Sequence, residues 1–61
     1  MEKSQIRLRL ENLKEQEELN LRDNFDHIIM WCNEYQQIYG WDEWFNEFRS
    51  DYLEMRRDRN I

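Results

Sequence analysis

His27 and Cys32 are the only histidine and the only cysteine in the chain, and so the first candidates for a metal ligand and a nucleophile. On a helix Asp23 lies one turn before His27, while the adjacent Asp26 points elsewhere. A divalent metal needs three or four convergent ligands, which one histidine and one reachable carboxylate do not supply. Cys32, five residues further on, falls on the wrong side of such a helix. Its neighbours are Ile28, Ile29 and Tyr35, with no base and no cation in reach, so it reads as a small buried hydrophobe. No metal and no other cofactor is expected.

The remaining chemistry is electrostatic. Glu43, Glu47, Asp51 and Glu54 line one side of a helical segment that carries Trp41 and Trp44. Like charges one turn apart cost a few tenths of a kcal/mol per pair, so the ladder does not serve helix stability. An exposed helix face offers no pocket to move a carboxyl pKa, which argues against general acid–base catalysis and against an enzyme. These six residues are the expected partner-binding set, with the acids meeting a basic surface and the tryptophans anchoring the contact. Between Glu11 and Glu54 there are twelve acids and three bases, whereas each end of the chain carries a net +2. Arg56, Arg57 and Arg59 suit a helix C-terminus, where cations offset the macrodipole. As a nucleic-acid site they would lack the broad basic face that such proteins carry.

Sixty-one residues with one glycine, no proline and a net charge of −5 bound what can position these groups. A chain this short buries only ~60% of its unfolded surface, too little for a large cofactor-binding fold. All-β folds need turn residues at regular intervals, and those are missing. The lone cysteine excludes an internal disulfide framework and fits a reducing compartment. The longest apolar run, Ile28 to Cys32, is far below the ~18 residues of a membrane span. A soluble, cytoplasmic protein with no membrane contact is expected.

Ile6, Leu10, Leu13, Leu21, Phe25, Ile28, Cys32, Tyr35 and Tyr39 recur at steps of three and four, with Glu17 in the one remaining slot. At ~100° per residue they stay on a single stripe, which predicts one long helix over 4–39 with Ser4 as its N-cap. The stretch Lys14 to Glu18 lacks apolar residues, and Asn20 followed by Asp23 offers a place to restart, so a break near 14–20 is the competing possibility. Gly40 ends the helix, Asp42 caps a second one over 42–58, and the fold class is an all-α antiparallel hairpin in a single domain. Folded back from Gly40, the shorter helix would reach only to about Asn24. Ile6, Leu10, Leu13 and Leu21 would then stay uncovered, and Trp31 would widen the face beyond what one partner helix can cover. Self-association into a dimer or larger helical bundle through these five residues is the expected remedy.

No glycine-rich phosphate loop, zinc spacing, nucleophile elbow or helix-turn-helix pattern is present. The acidic, aromatic-rich composition is in the general style of small phage-encoded regulators. The expected function is therefore a regulatory module that docks on a basic surface of a partner protein, such as an inhibitor or modulator of a host nucleic-acid-handling protein. A nucleic-acid binder using the C-terminal arginines, or a purely structural oligomerisation module, are the alternatives.

Overall fold

In the computed structural model, which describes residues 2–20 and 22–58, the chain is all-helical and the expected long helix is two. Helix α1 spans Lys3–Asn20, α2 spans Phe25–Tyr39 and α3 spans Glu43–Asp58. The two-helix hairpin is thus replaced by an up–down–up bundle. Arg7 meets Tyr35, Arg9 covers Trp31 and Asn24 reaches Leu13, which sets α1 and α2 antiparallel. Lys3 meets Asp42, Arg7 covers Trp44 and Glu17 meets Tyr52, so α1 and α3 run parallel.

Helix α1 opens at Glu2, whose carbonyl accepts the amides of Gln5 and Ile6, both at 3.1 Å. The Gln5 side chain returns to accept the Glu2 amide at 3.1 Å, which is one arm of a capping box. Ser4 lies inside the first turn and is not the cap. The break before α2 is a polar corner. Asp23 Oδ1 accepts the Phe25 amide at 3.0 Å, and the Asn24 carbonyl accepts the Ile28 amide at 2.9 Å. The Asn24 side chain caps nothing on α2; it donates instead to the Leu13 carbonyl at 3.0 Å. Short polar side chains offer the backbone such alternatives to continuing a helix.

Folding α1 back in this way changes the fate of its apolar residues. Ile6 and Leu10 are fully buried with Ile28, Cys32, Tyr35, Phe45, Phe48 and Tyr52, and Leu13 and Trp31 pack against that core. The stripe that a two-helix hairpin would leave bare is therefore covered by α2 and α3 of the same chain. Leu21, the remaining residue of the expected oligomer interface, lies outside the described residues. Each fully buried Leu or Ile contributes about 1.5–3 kcal/mol. The few helical hydrogen bonds given up at the corner are worth about 1 kcal/mol each in net terms, and side chains replace some of them. Burial wins, and the helix breaks.

Glu17 is the one charged residue buried among the described residues, at 0% exposure. Its Oε1 accepts the Asn24 amide at 3.0 Å and the Tyr52 hydroxyl at 2.9 Å. Its Oε2 accepts from Arg56 Nη1 at 3.0 Å, and the same nitrogen donates to Asp23 Oδ1 at 3.1 Å. One carboxylate thus joins α1, the corner and α3. Burial and the adjacent carboxylate together push the Tyr52 phenol well above its ordinary range, although Arg56 opposes them. The hydroxyl therefore stays protonated and donating.

The α2–α3 turn matches its sequence reading, with one refinement. Gly40 has φ 75° and ψ −164°, and its amide donates to the Gln36 carbonyl at 2.9 Å. That conformation is not the left-handed helical well that asparagine tolerates; it belongs to the region open almost only to glycine. A Cβ at this position would meet no atom within 4 Å, so the constraint is backbone strain alone.

Both the buried carboxylate and the turn can be tested by substitution. Glu17→Ala should lower the unfolding free energy in urea by about 3 kcal/mol, because it strands a buried amide and a phenol and leaves Arg56 only the exposed Asp23 as an ionic partner. Glu17→Gln, which keeps an acceptor, should lose less; wild-type midpoints for both would mean the carboxylate ties nothing. At the turn, Gly40→Ala and Gly40→Asn should each cost about 1–3 kcal/mol. D-alanine introduced by total synthesis should restore the melting temperature, since φ 75° is an ordinary angle for a D-residue.

Candidate partner-docking groove

Because α1 and α3 are parallel and both packed on α2, a groove of 590 Å³ opens between them. Its α1 wall carries Glu11, Lys14, Glu15, Glu18 and Leu19, and its α3 side carries Trp44, Glu47, Phe48 and Asp51. Five carboxylates against one ammonium give the lining a net charge of −4. None of the five makes an ion pair or a side-chain hydrogen bond among the described residues, and all are exposed. Each wall already spends energy on like charges one turn apart, Glu11 with Glu15 and Glu47 with Asp51. The fold adds to this by facing the two acidic walls toward each other.

The floor is apolar and aromatic. Trp44 is half-buried, stacks on Phe48 with centroids 5.3 Å apart and tilts against Tyr35 at 5.5 Å. The Arg7 guanidinium lies 4.9 Å from the Trp44 ring centroid and holds the indole from the α1 side. Leu19 adds a largely exposed aliphatic surface near the other end of the groove.

A second polar hub sets the position of α1 against the start of α3. Asp42 Oδ1 accepts the Phe45 amide at 2.8 Å and so caps α3, as its place after Gly40 suggests. Asp42 Oδ2 accepts from the Tyr35 hydroxyl and pairs with Lys3 at 3.0 Å and Arg7 at 3.3 Å. The Tyr35 hydrogen bond, the Phe45 amide and Lys3 hold the Asp42 carboxyl far below the usual carboxylate range, against some desolvation. Lys3 is raised above its ordinary value, chiefly by its bond to Asp42.

Of the expected partner-binding residues, the structure brings Trp44, Glu47 and Asp51 into the groove. Glu43 and Glu54 are exposed on α3 but do not line it. Trp41 does not line it either. Half exposed, it sets its edge on Phe45 at 4.9 Å, and Arg49 lies 4.9 Å from its ring. Glu11, Glu15, Glu18 and Leu19 join the site without having been expected there; nothing in their own spacing sets them opposite α3. His27 is exposed, and no three His, Cys, Asp or Glu side chains among the described residues converge as metal ligands. Cys32 is buried, and burial pushes its thiol up to about 11. Arg56 is committed to Glu17 and Asp23, Arg57 is exposed, and Arg59 lies outside the described residues. No helix of the described residues is long and apolar enough to cross a membrane.

No protein-family model, no curated protein and no solved structure matches this chain.

The depressed Asp42 carboxyl makes stability depend on pH with a definite sign. Its contribution is fully present above the unfolded-state value of 3.8 and is lost as pH falls toward the lower folded-state value. Asp42→Asn, which retains the cap acceptor but not the charge, should lower the melting temperature at pH 7. It should also flatten the loss of stability below about pH 4 relative to wild type. Parallel pH profiles of the two proteins would show that Asp42 is not held by its cations.

Proposed function

We propose that this chain is a protein-binding regulatory module whose acidic α1–α3 groove docks on a basic surface of a partner protein, acting by occupying that surface. The observation that carries the reading is the placement of five unpaired carboxylates, from two helices, over a floor of Trp44 and Phe48. Natural folds usually intersperse surface charges, because facing like charges repel and cost stability when no partner offsets them. Complementary charge raises the association rate, whereas a packed aromatic anchor slows dissociation. Direct nucleic-acid binding has less support, since Arg56 is engaged inside the fold and the groove would repel phosphates.

Kinetics test the division of labour, using a partner cross-linked to and purified with the chain from its source cells. Reversing Glu47 and Asp51 to lysine should slow association about tenfold at low salt and weaken its salt dependence. Reversing Glu43 and Glu54 changes net charge equally but lies outside the groove, and should do much less. Trp44→Ala, once circular dichroism shows the helices intact, should speed dissociation about tenfold. Equal effects from the two reversals would assign the steering to net charge rather than to the groove, and no effect from either would reduce the acids to a solubilising surface.

A further inference from the structure

Resting on that reading, we infer that the occupant of the α1–α3 groove is a basic amphipathic α-helix of the partner, which lies along both walls as a fourth member of the bundle. The walls are two helices that run in the same direction, so the groove lies lengthwise between them. From Glu11 to Leu19 it runs ~12 Å along α1, and from Trp44 to Asp51 ~10 Å along α3, the rise of about two helical turns. Its apolar strip is formed by Trp44, Leu19 and the edge of Phe48, which is only 6% exposed. Acids flank that strip on both sides, Glu11, Glu15 and Glu18 with the single Lys14 on one wall and Glu47 and Asp51 on the other. The complement is an apolar stripe at steps of three and four with cations on both shoulders. A helix displays that pattern, much as charged e and g positions flank a coiled-coil seam. An extended peptide would place successive side chains on opposite faces, so only every second one could reach the strip, and the described residues offer no sheet edge to hold it.

A second copy of this chain does not fit. The chain carries −5 and the groove −4. Lys3, Arg7 and Arg56 are engaged in ion pairs of their own, and Arg9 and Arg49 lie on tryptophan rings. Arg22 and Arg57 remain exposed, but Arg57 is followed by Asp58 and Arg22 by Asp23, so neither gives a second copy a row of cations to match the groove.

The test uses the whole chain and a synthetic peptide of about fourteen residues, ~21 Å as a helix, with leucines along one stripe and lysines on both shoulders. A scrambled peptide of equal composition and a version with a central proline serve as controls. At about 50 mM salt, where surface charges are only partly screened, the helical peptide should bind and gain helicity. It should shift the amide resonances of Glu11, Glu15, Glu18, Glu47 and Asp51 and the Trp44 indole signal. Binding should weaken about tenfold for the scrambled and proline peptides, and about tenfold when Glu47 and Asp51 are reversed. Equal binding of the proline peptide would overturn the helical occupant while leaving docking on a basic surface intact. The helical occupant also falls, and docking again survives, if no peptide binds although the native partner still requires Glu47 and Asp51. Concentration-dependent dimers that dissociate on groove reversal, seen by analytical ultracentrifugation, would assign the groove to a second copy instead.

Discussion

The architecture turns on a carboxylate buried out of reach of solvent, that of Glu17. Glu17 sits on the apolar stripe of α1, where an ionised side chain can be buried only if its oxygens are satisfied and its charge is met. Two other segments supply what it needs: the corner gives the Asn24 amide, and α3 gives the Tyr52 hydroxyl and the Arg56 guanidinium. Replacing such a pair by well-packed hydrophobes is often neutral, but removing one member is costly. Its contribution is therefore geometric. With Glu17 in place, α1 must end soon after it, the chain must turn at Asn24, and α3 must bring its last turns alongside.

The Asp42 hub does for the opposite end what Glu17 does for this one. Lys3 and Arg7 of α1, Tyr35 of α2 and the first turn of α3 all converge on one carboxylate. Between the two hubs the core is apolar and largely aromatic, with Tyr35 stacked on Phe45 at 4.9 Å and Phe48 on Tyr52 at 6.3 Å. Two polar ties, one at each end of parallel helices, fix the spacing of α1 and α3 along their length. The groove follows from that spacing, and its charge from the side chains left facing outward.

The same ties account for the fate of the chain's cations. Arg56, Lys3 and Arg7 meet buried or half-buried acids, and Arg9 and Arg49 cover tryptophan rings. Most of the positive charge is thus committed to internal structure, while the groove acids are left unpaired. The groove lining alone carries −4, against −5 for the whole chain.

Much of this is open to inspection in the linear chain. Helical periodicity, the Gly40 turn, the Asp42 cap, the buried Cys32 and the acidic side of α3 are local features, set by neighbours within four residues and by the steric limits of φ. What no local rule could decide was whether the stripe from Ile6 to Tyr39 belongs to one helix or two. Both share the same phase, so periodicity cannot separate them; the choice depends on whether burying Ile6 and Leu10 outweighs a few helical hydrogen bonds. Glu17 in the stripe was the visible trace of that choice, but its meaning rests on Tyr52 and Arg56, thirty-five and thirty-nine residues away. The groove is legible by halves for the same reason. The ladder on α3 can be read from its spacing, whereas its pairing with Glu11, Glu15 and Glu18 exists only because the corner at Asn24 returns the chain and lays α1 parallel to α3.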